Sequence, residues 1–352
     1  MKVFFHVPSE STIYAGRTIH AGYKHAFEDM GHEFVTLTAQ SDQATLFREE
    51  RPDILITSLT HYSLKFLDVE AVTKQKKEGM KVFVNIPFWH SPMSRLRINE
   101  TPSLSENREH RELIRSGTFG DVYYNNCEQD DERMAGFSEA TGYPYETILL
   151  AADKVMHFKE EEERFHADLS YIGTYLPEKR KFMKEALFPL RKKYDLRLYG
   201  QDWTVYDRGM GLIQKAGQFF NVPFLSHVQK PKLSLEDERR IYASSTISLN
   251  IHEEYQKRFG GDCNERVFKI PACGGFEITD DVACIRRYLK EDVEIVIAKN
   301  KEDWFQKIEY YIEHPEESQS IIEAGRNRVL AKHTYHNRVL QMMHLYESLS
   351  SK

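Results

Sequence analysis

The chain has 352 residues and a net charge of −6, and 41% of its residues are hydrophobic, 29% charged and 12% aromatic. That length is more than one hydrophobic core usually serves, so two domains are expected, and the composition excludes a disordered chain. The mildly acidic balance excludes a global field for polyphosphate, so nucleic acid is not expected as a partner.

The N-terminal MKVFFHVPSE turns polar too soon for a signal segment, and no apolar run approaches a membrane span. Cys127, Cys263, Cys273 and Cys284 show neither C-x-x-C nor zinc spacing, which fits reduced thiols in a cytoplasmic protein. In chain order, residues 2–7 read as a strand, 15–31 as a helix ending at a glycine, and 33–38 as a strand. A helix at 41–50, a strand at 53–58, a helix at 65–78 and a strand at 81–86 follow. Residues 91–120 break this rhythm. They are polar and rich in Arg and Glu, and they read as a long loop after a strand end, where open α/β sheets place ligands. A strand at 121–126, a helix at 129–141 and a strand at 146–150 come next. The charged stretch 154–166 has no clear period and reads as a linker.

The alternation then restarts. Strands are expected at 168–172, 195–199, 246–251, 276–279 and 294–298. Helices are expected at 178–194, 235–244, 264–273, 301–314, 315–332 and 335–348. Apolar strands separated by amphipathic helices imply two parallel sheets, each covered on both faces. In the last helix Tyr335, Val339, Met342, Met343 and Tyr346 form one apolar stripe, expected to pack back on the N-terminal domain.

Two stretches carry the strongest chemical signals. Gly173 and Thr174 end a strand before Lys179, Arg180 and Lys181, which suits either an anion site or a plain βα turn with a solvated basic helix. Asn264 is a good N-cap for a helix on which Arg266 and Lys269 share a face. Gly260-Gly261 precedes that helix and Gly274-Gly275 follows it, so the backbone there can approach a diphosphate closely. Weaker signals lie toward the N-terminus. Gly16 and Arg17 sit between the first strand and the first helix. His90 follows a strand in a proline-rich loop, as a base for an acceptor hydroxyl or a packing partner of Trp89.

The stretch with Asn264, Arg266, Phe268, Ala272, Cys273, Gly274, Gly275, Phe276, Thr279 and Asp280 resembles the CgeB-like group of glycosyltransferases, relatives of glycosyltransferase family 4. Flanking matches are SYIG at 170–173 with Arg180, LYG at 198–200 with Trp203, LNIH at 249–252, and His333-Thr334-Tyr335 with Arg338. The resemblance implies the GT-B fold: an acceptor domain over 1–153, a nucleotide-sugar domain over 154–333, and a returning helix over 334–352. It implies glycosyl transfer of the hexosyltransferase type from a nucleotide-diphosphate sugar, a UDP-sugar first, without metal or other cofactor. The acceptor and the oligomeric state are left open.

The residues it brings to the donor are Gly173, Thr174, Arg180, Gly200, Trp203, Asn250, His252, Asp262, Asn264, Glu265, Arg266, Phe268, Lys269, Gly274 and Gly275. Gly16, Arg17 and His90 fall on the acceptor side, and His90, Arg266 and Lys269 are the catalytic candidates. One position departs from the pattern: Lys269 stands where the family has a glutamate that binds the donor ribose. That lysine either neutralises a diphosphate or marks a surface residue of a non-catalytic structural protein. Asp262 and Glu265 are the carboxylates that a third reading, a sugar-nucleotide epimerase, would use.

Overall fold

The computed structural model describes residues 1–8, 14–91, 103–175, 179–220, 222–226 and 233–350. They divide into two compact units. The first comprises Met1–Val155, Arg258–Glu265 and Lys332–Lys352, and the second Met156–Lys257 and Arg266–Ala331.

The first unit is built on β1 (Lys2–His6), α1 (Tyr14–Asp29), β2 (Glu33–Leu37), α2 (Gln43–Glu50), β3 (Ile54–Ser58), α3 (His61–Lys65), α4 (Val69–Lys77), β4 (Lys81–Asn85), α5 (Arg108–Arg115), β5 (Val122–Asn125), α6 (Phe137–Thr141) and β6 (Tyr145–Thr147). Its parallel sheet has the order β2-β1-β3-β4-β5-β6. Alternate side chains along a strand leave opposite faces. Phe4, Leu55, Val82, Val84 and Tyr123 therefore fill one core, while Val3, Phe5, Ile54, Ile56, Phe83, Val122 and Tyr124 fill the other. Both faces are apolar, which is why these strands read as near-continuous hydrophobic runs.

The second unit follows with β7 (Ala167–Ile172), α7 (Arg180–Ala186), β8 (Leu196–Tyr199), α8 (Val205–Phe219), α9 (Pro223–Ser226), α10 (Leu235–Ser244), β9 (Ser245–Asn250), α11 (Glu254–Phe259), α12 (Arg266–Ala272), β10 (Glu277–Asp280), α13 (Ile285–Tyr288), β11 (Val296–Ala298), α14 (Lys301–Glu313) and α15 (Pro315–Lys332). Its parallel sheet has the order β8-β7-β9-β10-β11. The strand order reverses between β7 and β9, so their carboxyl ends flank the crevice where sheets of this kind bind ligands.

Helix starts follow local capping chemistry. Asp42, Thr60, Asp68, Asn107, Ser234 and Asn300 each accept the backbone N–H three residues on. The caps at Thr60 and Asp68 explain why α3 and α4 stand where one helix over 65–78 is expected. The stretch 91–120 is not wholly loop. Asn107 caps α5, whose mostly polar sequence buries only His110 and Ile114 and so gives no apolar stripe to read. Residues 92–102 of that stretch lie outside the described residues. The helix expected over 178–194 is shorter: α7 ends at Ala186, and a single 3-10 turn over Leu190–Lys192 follows.

The last helix, α16 (Tyr335–Ser350), belongs to the first unit. Tyr335, Val339 and Met342 are buried in its second core, with Met343 and Tyr346 packed against them. The Tyr335 ring lies where a Cβ on Gly22 of α1 would stand, at 2.1 Å. Arg338 Nε donates to Leu149 O at 3.0 Å, and Ala152 bridges to Thr334.

Candidate functional site

The crevice at the carboxyl ends of β7 and β9 brings Lys179, Arg266, His252 and Asp280 to one edge of the second sheet. Arg266, the first residue of α12, spans it. Its Nε donates to Asn250 Oδ1 at 2.9 Å, one terminal nitrogen to Ile251 O at 3.0 Å, and the other to Ile172 O at 3.4 Å. The guanidinium thus links the end of β7 to the end of β9, and it lies over the Tyr171 ring.

A second cation sits beside it. Lys179 Nζ donates to Ile251 O at 3.1 Å. Burial, with the Arg266 charge next, pushes the Lys179 pKa down to about 8. Arg180, one residue on, lies over the Tyr175 ring and is half-buried. Helices α7 and α12 have seven residues each, so the cationic character here comes from side chains rather than from long helix dipoles.

Two buried carboxyl groups lie under these cations. Glu277, on β10, accepts from Asn250 Nδ2 at 2.7 Å, and burial pushes its pKa up to about 8. Protonated at neutral pH, it holds the Asn250 amide without placing a negative charge under Arg266. Asp280 accepts from the His252 backbone N–H at 3.0 Å and from His252 Nδ1 at 2.6 Å. A carboxylate only accepts, so the His252 proton resides on Nδ1. Burial lowers the His252 pKa against the pull of Asp280, and Nε2 is left as a buried lone pair with no hydrogen-bond partner among the described residues. Glu277 is absent from the sequence-derived set, while Lys179 of the basic run and Asp280 of the motif are named there without being assigned to the donor. The signals that mark them are an acid inside an otherwise apolar strand (FEIT) and the Thr-Asp that ends it.

Gly173 and Gly200 shape the turns at the same edge. A Cβ on Gly200, at φ +108°, would stand 2.4 Å from Gly173 O, so these two turns meet through glycine backbone. Trp203 closes them. Its indole N–H lies 2.7 Å from Gly173 O and 3.1 Å from Tyr199 O, and its ring stacks on Tyr175 at 5.0 Å. Its N–H is thereby committed to the turn, which makes Trp203 a brace of the crevice rather than a donor contact. Thr174, beside Gly173, is half-buried at this edge.

Several expected donor residues lie elsewhere. Gly274 and Gly275 stand at the other end of α12. Gly275 N donates to Ile270 O and Gly274 N to Pro271 O, with Gly274 at φ +74°, a Schellman stop that leads into the amino end of β10. A Cβ on Gly275 would stand 2.6 Å from Tyr242 O, so that glycine serves packing at the edge opposite the crevice. Phe268 is fully buried and packs on Tyr288, out of reach of a ligand.

Lys269 faces neither a phosphate nor solvent. Its ammonium lies 2.6 Å from Glu238 Oε1, with both side chains at most 2% exposed, and Tyr242 donates to the same oxygen. Although burial opposes it, the Lys269 charge holds the Glu238 carboxyl below its usual range. His157 lies near the pair, its pKa pushed down to about 3 by burial and then by Lys269.

Asp262 and Glu265 belong to the first unit. Asp262 pairs with the buried Arg133 at 2.7 Å, and Arg133 also holds Asp131. Glu265 accepts from Thr18 Oγ1 at 3.0 Å on both oxygens. Asn264 is half-buried just ahead of α12. Gly16 and Arg17 lie inside the first turn of α1 rather than before it, and His90 is exposed with its backbone N–H donating to Arg133 O. All four cysteines are buried, and no disulfide forms among the described residues.

Comparison with known proteins agrees with this architecture. A glycosyl transferase-like family profile matches residues 179–344. Spore protein CgeB of Bacillus subtilis is 24% identical over 218 residues, 58% of this chain and 63% of the relative, so the match spans under two thirds of that protein. Among solved structures, a sucrose-phosphate synthase from Thermosynechococcus elongatus superposes with a TM-score of 0.63 at 11% identity, covering 99% of both chains. The fold is GT-B, and the sequence resemblance is to the CgeB-like glycosyltransferase group. An alpha-glucosyltransferase solved in complex with UDP has a TM-score of 0.61 at 10% identity, over 98% of this chain and 99% of its own. No helix among the described residues is long and apolar enough to cross a membrane.

Proposed function

We propose that this CgeB-like chain is a glycosyltransferase that takes a sugar from a nucleotide-diphosphate donor, UDP-linked in the first instance. The observation that carries the reading is Arg266, fixed across the β7/β9 crevice with Lys179 beside it. When a glycosidic bond to a diphosphate breaks, negative charge develops on the leaving phosphate. Preorganised cations at that point stabilise the transition state more than the ground state. Arg266, Lys179 and Arg180 meet this charge in the proposed reaction, which therefore runs without a divalent ion. UDP is the first candidate because a neighbour of the same fold was solved with it.

Isothermal titration with UDP, followed by a hydrolysis screen of UDP-sugars with and without EDTA, tests the proposal. Binding plus EDTA-resistant turnover supports it. Turnover abolished by EDTA and restored by manganese overturns the metal-independent part. A second reading, a nucleotide-binding protein without turnover, is favoured by Lys269. Its side chain is held by Glu238, so α12 brings no carboxylate to the ribose at the position where the family pattern has one. Binding of UDP without hydrolysis of any donor selects that reading.

A further inference from the structure

We infer that Glu277 is a positioning residue for the crevice: it holds the Asn250 side chain in the orientation that keeps Arg266 across the crevice, with its charge available to a bound diphosphate. The inference deepens the reading of this edge as a donor-phosphate site and rests on it. Glu277 opens β10 and is 3% exposed, and Asn250 ends β9 and is fully buried. A primary amide has one accepting end and one donating end. Asn250 turns its oxygen to Arg266 Nε at 2.9 Å and its nitrogen to Glu277 Oε1 at 2.7 Å. The Glu277 carboxyl thus decides which end of the amide Arg266 meets. A half-turn of that amide would set its N–H groups against the guanidinium N–H, donor against donor. It would also turn the amide oxygen toward Glu277, and such buried mismatches cost more than a single hydrogen bond contributes.

An ionised Glu277 would undo the arrangement it sets up. Its second oxygen, Oε2, is buried with no hydrogen-bond partner among the described residues, so a negative charge there would be solvated by neither water nor protein. Burial raises the carboxyl pKa most. The Asn250 bond and the Arg266 charge on α12 pull it down, and Asp280, on the same strand, adds to the rise. The neutral acid keeps the acceptor that Asn250 needs and leaves the Arg266 charge for a phosphate. Loss of the proton puts a carboxylate one amide away from Arg266, which opposes an anion in the crevice. Lys179 loses its own charge near pH 8 and weakens anion binding in the same direction, so the test has to separate the two groups.

The test is titration calorimetry of the full chain with UDP at pH 7 and pH 9, on the parent, Glu277→Gln and Glu277→Leu. At pH 7, Glu277→Gln keeps an acceptor for Asn250 and should bind UDP within about threefold of the parent, whereas folded Glu277→Leu should bind about tenfold more weakly or worse. From pH 7 to pH 9 the parent should lose up to about tenfold more affinity than Glu277→Gln, in which only the Lys179 part of the decline remains. A purely structural Glu277 would change melting temperature and leave UDP affinity and its pH slope alone. Parental affinity in folded Glu277→Leu overturns the proposal, as does the same pH slope in the parent and Glu277→Gln. If Glu277→Leu does not fold, that pair of slopes decides. A parent that binds no UDP sinks the donor reading, and the positioning role is then judged on Arg266 itself by NMR. Its Nε–H should exchange with water about tenfold faster in Glu277→Leu, or in Glu277→Gln at pH 7 remain as slow as in the parent. Unchanged exchange in Glu277→Leu, or parent-unlike exchange in Glu277→Gln, overturns that role.

Discussion

Arg266 and Lys269 stand three residues apart on one short helix and carry the same charge, yet they occupy two unlike regions. Arg266 opens α12 at the carboxyl edge of the sheet, where amide oxygens accept from it. Lys269 lies between α12 and α10, where a carboxylate accepts from it. An amide oxygen satisfies a donor without cancelling its charge, whereas a carboxylate cancels it. The contrast teaches that a cation's partner, more than its place in a motif, separates a ligand-facing group from an architectural one. A guanidinium with five fixed donors suits the first task and a single ammonium suits the second.

The sharpest way to break this contrast is Lys269→Glu. It would bury two carboxyl groups against each other, and disrupting a buried pair costs about 3–5 kcal/mol. Urea unfolding should show a loss of that order, with Lys269→Met together with Glu238→Gln recovering much of it. Full stability in Lys269→Glu combined with altered UDP binding would instead assign Lys269 to the crevice. Arg266→Ala should act on the other region. UDP affinity is expected to fall about a hundredfold, or 2–3 kcal/mol, for one charge-assisted contact, as read by titration calorimetry on a variant that still folds.

Glu277 sharpens the comparison through pH. Its folded pKa, about 8, lies above the ordinary 4.5. Between those values the folded state holds a proton that the unfolded state has lost. This group's contribution is therefore most favourable at low pH and declines as pH rises toward 8. Glu277→Gln keeps an acceptor for Asn250 and removes the titration. Relative to the parent, the variant should gain on the order of 2 kcal/mol between pH 6 and pH 8 in denaturant melts. A parallel pair of stability curves would mean the carboxyl is ionised in the fold. The smallest effect is expected from Trp203→Phe, which removes the indole donor to Gly173 and Tyr199. About 1 kcal/mol of stability should be lost, with UDP affinity within twofold of the parent.

The two sheets were legible in the sequence because their strands are apolar on both faces, and each expected strand has its counterpart among β1–β11. Helices such as α5 and α8 were not. The first buries just two residues, and in the second three glycines interrupt the apolar spacing. Within the candidate site, Arg266, Asn250, His252, Gly173 and Gly200 do converge on one sheet edge. Gly274, Gly275 and Phe268 were misplaced because a helix lying antiparallel to its strands carries the two ends of one motif to opposite edges. Glu277 was missed because a buried acid in an apolar strand shows its purpose only once Asn250 is seen beside it.

The Tyr335 ring, seated over Gly22, bears on how this chain is made. The core that holds Val3, Phe5, Tyr23 and Phe27 also holds Tyr335, Val339 and Met342. On a ribosome emitting 5–20 residues per second, roughly 9–35 s separate the synthesis of Val155 from that of Lys332. Through that interval α1 covers that face of the first sheet without α16, while Met156–Lys257 and Arg266–Ala331 of the second unit are being delivered. The first unit is thus completed only after the second has been synthesised, and until α16 arrives the nascent chain carries apolar surface that a chaperone or α16 itself must reach before another chain does.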